Sequence, residues 1–211
     1  MVRYRSIAAA GLALVVAGVL SACLQEVPIV SNNPDNPTTN MTLDEQRAWV
    51  AEQLDAAVEA SGVAEGWFDI YWHDVFWSAD RPEDREMILN SLFPDDCGMG
   101  GQLITSLKNQ TADDPLGAAA RVRGFWESEG WTVSDVRSYG GNPYFRADRE
   151  DGAVLAFQAS PEGMSMSVES ACSVNNTVTN WDAYLDPVPN EFEQELERRG
   201  ESAEETQRNG G

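Results

Sequence analysis

Positive charge is scarce in this chain. Its 211 residues include one lysine, Lys108, and one histidine, His73; 14 Lys+Arg stand against 35 Asp+Glu, for a formal charge of −21. That balance argues against capture of nucleic acid or of anionic lipid headgroups, which depends on clustered basic side chains. The acidic residues are scattered, which reads as a solubilising surface; the sharper alternative is capture of cations or of a basic partner. With a single histidine and no close Cys/His pairs, zinc has no ligand set. A Ser-His-Asp triad would have to be built around His73 with Asp69 or Asp74 as its orienter, and no Gly-x-Ser-x-Gly elbow occurs. His73, beside a tryptophan-rich segment, reads instead as a packing or hydrogen-bonding residue. Gly98-Met99-Gly100-Gly101 lacks the lysine and the helix start of a phosphate loop, and Asp148–Gly152 lacks the spacing of a calcium loop. The reading is therefore of no catalytic residue, no metal and no cofactor. Paired carboxylates for glycoside hydrolysis stay open as an alternative, because 35 acidic residues make some close pairs inevitable.

Long apolar runs are equally scarce. The single one, Ile7 to Leu20, follows Arg3 and Arg5. Its length suits the apolar region of an export signal and falls short of the roughly 20 residues of a membrane-spanning helix. It ends in Leu20-Ser21-Ala22-Cys23, which resembles the lipobox of bacterial lipoproteins: a branched apolar residue, two small residues, then cysteine. The resemblance implies diacylglyceryl transfer to the Cys23 thiol and cleavage before it. Two acyl chains hold a protein stably, whereas one is marginal. The implied location is the extracytoplasmic face of the cell membrane, anchored by lipid on Cys23. Loss of Arg3 and Arg5 with the leader takes the charge from −21 to −23.

Cysteine is sparse too, and its count is informative. With Cys23 assigned to lipid, Cys97 and Cys172 are left as an even pair in an oxidising compartment. A disulfide is the default there, and two buried thiols are the alternative.

Four regions follow. Residues 1–22 read as the signal peptide, and 23–41, with Pro28, Pro34 and Pro37, as a flexible tether. Residues 42–185 read as one globular domain, and 186–211 as an acidic, largely disordered tail with a short helix near Glu191–Arg199. Thr42-Leu43-Asp44-Glu45 fits a capping box, and apolar spacing from Val50 to Val58 with Gly62 beyond predicts a helix over 43–61. Trp67 to Trp77 is densely aromatic and predicts a strand, perhaps bulged, with Phe68, Ile70 and Trp72 on one face and Tyr71, Val75 and Trp77 on the other. A short helix is expected from Pro82 to about Leu92, and a strand over 102–108. Asp114-Pro115 caps a helix over about 115–129 whose stripe is Leu116, Ala119, Ala120, Val122 and Trp126. The period then changes toward two. Four strands are predicted at 132–138, 144–149, 153–159 and 164–170, with a hairpin at Asp151-Gly152.

Helices followed by a meander predict an α+β fold, an antiparallel sheet with one or two earlier strands and helices packed on one face. Between residues 42 and 185 the chain resembles small actinobacterial lipoproteins, loosely LppA-like. The resemblance is carried by Cys97, Arg121-Val122-Arg123-Gly124-Phe125-Trp126, Gly130-Trp131-Thr132-Val133, the Asp151-Gly152 hairpin and Cys172. It implies a lipid-anchored envelope protein and transfers no catalytic residue. Trp67, Trp72 and Trp77 fall five apart among seven tryptophans. The preferred reading is core; the functional alternative is an exposed aromatic platform for a glycan or a partner protein. The expected function is non-catalytic binding of a cell-wall component or envelope protein. A small wall hydrolase and a purely structural or regulatory lipoprotein are the alternatives.

Overall fold

The computed structural model describes residues 37–137 and 140–184. The predicted leader, its lipobox with Cys23, most of the tether and the acidic tail with its short helix lie outside the described residues.

The first helix, α1, spans Leu43–Ser61 as predicted. Thr42 Oγ1 accepts from the Glu45 amide at 3.2 Å, while the Thr42 amide donates to Glu45 Oε2 at 2.7 Å. This reciprocal pair satisfies amides that a helix start otherwise leaves open. At the far end Gly62 adopts φ 69°, which a side chain would resist, and its N–H closes on the Glu59 carbonyl. The chain continues through β1 (Trp67–Asp69), α2 (Pro82–Asn90), β2 (Asp95–Asp96), β3 (Gly101–Gln102) and β4 (Ile104–Asn109). Helix α3 (Pro115–Ser128) begins where Asp114 accepts from the Gly117 amide at 2.9 Å. Strands β5 (Thr132–Asp135), β6 (Tyr144–Asp148), β7 (Val154–Ser160) and β8 (Gly163–Glu169) follow, then a short α4 (Asn176–Thr179) and a 3-10 turn at Trp181–Tyr184.

The architecture is α+β. Six antiparallel strands lie in the order β1-β4-β8-β7-β6-β5, and β2 and β3 form a separate small hairpin. The last four strands are the expected meander. Strand β4 pairs with β8 along its whole length, from Ile104 opposite Glu169 to Asn109 opposite Met164. It is shorter at its start than predicted because Leu103 leaves the ladder: its amide donates to the Ser170 hydroxyl at 2.8 Å.

Alternation gives the sheet one buried face. Leu107, Met166, Phe157 and Phe145 stand in one cross-strand row, all buried. Val122 and Trp126 of α3 and Val50 and Leu54 of α1 are buried in the same core. Trp126 meets Phe145 edge-on at 5.5 Å, and Phe145 stacks on Phe157 at 5.9 Å. These rings contribute both burial and favourable pair geometry.

Three expectations need correction. The α3 stripe is rotated: Ala118 joins Ala119, Val122 and Trp126 in the core, while Leu116 is 44% exposed and Ala120 is exposed. Pro115 at the first turn fixes where the 3.6-residue period starts, and that phase turns Leu116 outward. The tether does not extend to residue 41. Thr39 pairs in parallel with Ser173, its amide donating to the Cys172 carbonyl at 2.8 Å, and Thr38, Thr39 and Met41 are buried.

The third correction concerns Trp67–Trp77, which is a tight hairpin and not one strand. Strand β1 stops at Asp69, whose carboxylate accepts from the amides of Tyr71 (2.8 Å) and Trp72 (3.0 Å). This local turn competes with the extended chain. The chain returns at Val75, and the Trp77 amide donates to the Trp67 carbonyl at 2.9 Å.

Candidate functional site

That hairpin decides the fate of the proposed aromatic platform. Trp67 and Trp77 lie side by side on paired strands and are both buried, at 0% and 1% exposure. Each indole N–H is engaged: Trp67 donates to the Val63 carbonyl at 2.7 Å, and Trp77 to Asp55 Oδ1 at 2.9 Å. Trp72 alone is open, 41% exposed in the turn beside Tyr71. The three tryptophans therefore do not form one surface. His73 is exposed, its Nε2 3.2 Å from the Ile70 carbonyl and its ring edge-on to Phe68. Asp69, one of its two sequence-predicted orienters, spends its carboxylate on the turn.

Cys97 and Cys172 are bonded, with Cα atoms 5.9 Å apart. The bridge forms where the β2–β3 hairpin meets the chain after β8. Gly101 and Ser173 exchange two backbone hydrogen bonds there, of 2.9 and 2.8 Å. Gln46 of α1, fully buried, donates from Nε2 to the Gly101 and Ala171 carbonyls. A cavity of about 540 Å³ lies beside the bridge, bordered by Pro37, Arg146, Asp148 and Gly152. Its two nearest charges neutralise each other, because Arg146 is ion-paired with Asp148.

Opposite the helices, the sheet presents a second face. No described helix packs on it. Its residues are the alternate ones: Ser106 and Lys108 of β4, Ser165 and Ser167 of β8, Ala156 and Gln158 of β7, and Tyr144 and Arg146 of β6. One row joins Ser106, Ser167, Ala156 and Arg146; the next joins Phe68, Lys108, Ser165, Gln158 and Tyr144. The face is rich in hydroxyl and amide groups that both donate and accept. At the β7–β8 end it dips into a shallow cavity of about 180 Å³ lined by Lys108, Gln110, Gln158, Ser160, Glu162 and Ser165. Gly163 shapes that end: at φ 150° it lets the turn pass so close to β4 that a Cβ would stand 2.6 Å from the Asn109 carbonyl oxygen. Glu162 is held below the usual carboxylate range by hydrogen bonds from the Ser160 hydroxyl and from its own backbone N–H.

Sequence reasoning missed this face. The signal was present in Met164-Ser-Met166-Ser-Val168 and Leu155-Ala-Phe157-Gln-Ala159, where every second residue is apolar and those between are small or polar. The alternation was used to find strands, not to ask what the polar side might meet. Among the described residues, no group of three or more His, Cys, Asp or Glu is placed to hold a metal, and no helix is long and apolar enough to cross a membrane. No protein family, curated protein or solved structure matches this chain.

Proposed function

We propose that the chain is an exported lipoprotein, anchored through lipid on Cys23 at the extracytoplasmic face of the cell membrane. Its domain acts there as a non-catalytic binding module for a cell-wall component or an envelope protein. The anchor reading is supported by the n-region, apolar run and Leu20–Cys23 lipobox, and by the Cys97–Cys172 bridge, which suits an oxidising compartment. The observation that carries the binding reading is the sheet's polar face. In a two-layer domain the apolar face must be buried, but the other face is free to serve a ligand, and rigid strands hold its side chains at fixed spacing.

Two measurements test the proposal. Fatty-acid labelling should mark the wild type and not Cys23→Ala; equal labelling of both removes the anchor. Co-sedimentation of the full chain with isolated wall material should deplete it from the supernatant, and a wild-type chain that stays soluble removes the wall as the target.

A further inference from the structure

Lys108 is the only lysine in a chain with 35 acidic residues, and its ammonium has no ion pair or hydrogen bond among the described residues. The arginines behave differently. Arg47, Arg81, Arg85, Arg121, Arg123, Arg146 and Arg149 each hold a carboxylate. In so acidic a chain, most cations find a partner, and Lys108 is kept clear of one. It stands exposed on β4, facing the shallow cavity that it shares with Gln158, Ser160 and Ser165. Its three N–H donors are free for an incoming acceptor.

The surroundings narrow the class of ligand. Around Lys108 the groups are amides and hydroxyls, whereas the centre of a protein–protein contact favours aromatic, Met and other apolar residues. Two half-buried rings, Phe68 and Tyr144, close the ends of the Lys108 row. They are separated by four strand spacings, about 19 Å. This combination suits an extended, polyhydroxylated ligand that carries negative charge.

The position also fits. Pro37, where the described chain begins, borders the same cavity as Gly152 in the β6–β7 turn. Lys108 lies at the other end of β7, near the β7–β8 turn, and the seven residues of β7 span roughly 23 Å. A tether entering at Pro37 would therefore leave the Lys108 end of the sheet facing away from the bilayer.

We propose that the row Phe68, Lys108, Ser165, Gln158, Tyr144 is a binding site for a carboxylated glycan strand. The Lys108 ammonium pairs with a sugar carboxylate, and Gln158 and Ser165 hydrogen-bond to ring hydroxyls. Glu162, itself ionised at the rim, accepts from hydroxyls and confines the ligand's negative charge to the Lys108 side. This inference rests on the binding-module reading and names its ligand.

The test uses the full chain, purified in detergent, with polygalacturonate as the probe and its fully methyl-esterified form as the uncharged control. Affinity electrophoresis should show wild type retarded by the acid polymer and several-fold less by the ester. Lys108→Gln should weaken binding about tenfold or more, as expected for loss of a charge-assisted hydrogen bond, and Lys108→Arg should keep most of it. Thermal melts of both variants should match wild type, because Lys108 makes no contact whose loss would destabilise the fold. Equal binding of acid and ester, no binding of the acid polymer by wild type, or an unchanged affinity in Lys108→Gln would each overturn the inference. If wild type and Lys108→Gln both still pellet with wall material, the glycan assignment fails and the binding-module reading stands. If wild type does not pellet at all, the wall reading itself is lost.

Discussion

Reducing the Cys97–Cys172 bridge should destabilise the domain without dismantling it. The bridge closes a loop of 75 positions that contains β4, α3 and the whole β5–β8 meander. In the chain-entropy model a loop of that length removes about 15 cal/mol/K from the unfolded chain, or roughly 4.5 kcal/mol at 25 °C. Few native contacts should be lost on reduction, because the Gly101–Ser173 hydrogen bonds and Gln46 keep the two segments together. The loss therefore lies mainly in the unfolded state. For a domain of this size, about 4.5 kcal/mol corresponds to a fall in Tm of roughly 9–18 °C. The assay is urea denaturation of the full chain with and without dithiothreitol, followed by tryptophan fluorescence, with Cys97→Ala/Cys172→Ala as a reagent-free control. Far-UV circular dichroism before denaturation should be the same in all samples. A loss below about 1 kcal/mol would refute the loop-entropy argument. Loss of the folded spectrum in water would refute the claim that the hydrogen bonds hold the segments in place.

The tryptophans should divide sharply. Trp67→Ala should cost about 3–5 kcal/mol, as for other fully buried large aromatics, while Trp72→Ala should stay within about 0.5 kcal/mol; similar urea midpoints for the two would contradict the hairpin. At α1, Thr42→Ala should cost about 1 kcal/mol through loss of the cap. The backbone hydrogen bond from Thr42, and then its hydroxyl, hold the Glu45 carboxyl below its ordinary value. A carboxyl lowered in the folded state adds stability that is present above the unfolded pKa and lost as pH falls through the folded one. Glu45→Gln should therefore flatten the acid limb of a stability–pH profile. The change should be small because Glu45 is solvent-screened, and an unaltered limb would show that the ionised form is not preferred.

Elements with a strong local rule were legible in the sequence. Helix α1 was readable because its capping box and its Gly62 stop are written into adjacent residues. The meander was readable because alternation and Asp151-Gly152 fix strands and turn together, and the bridge because two cysteines remained once Cys23 was assigned. The Trp67–Trp77 segment was misread because Asp69 diverts its side chain into a turn, a local competition that strand propensity does not register. The α3 stripe was misphased because Leu and Ala at neighbouring positions suit two rotations of the helix, and packing against Phe145 and Phe157 selects one. The binding face was overlooked because small polar side chains between apolar ones look like ordinary solvent exposure until register sets them in rows.

The parallel pairing of Thr39 with Ser173 has a mechanical meaning. A pull on the chain before Pro37 reaches the domain first through the Thr39 amide on the Cys172 carbonyl and the Val174 amide on the Thr39 carbonyl, at 2.8 and 3.1 Å. Cys172, next in line, is covalently joined to Cys97 and so to the β2–β3 hairpin. Tension is thus handed within one residue from hydrogen bonds to a covalent crosslink, and is shared between the ends of two distant chain segments before it reaches the sheet. A domain loaded in this way can yield at residues 37–41 while the polar face keeps its geometry, so that segment acts as a mechanical fuse.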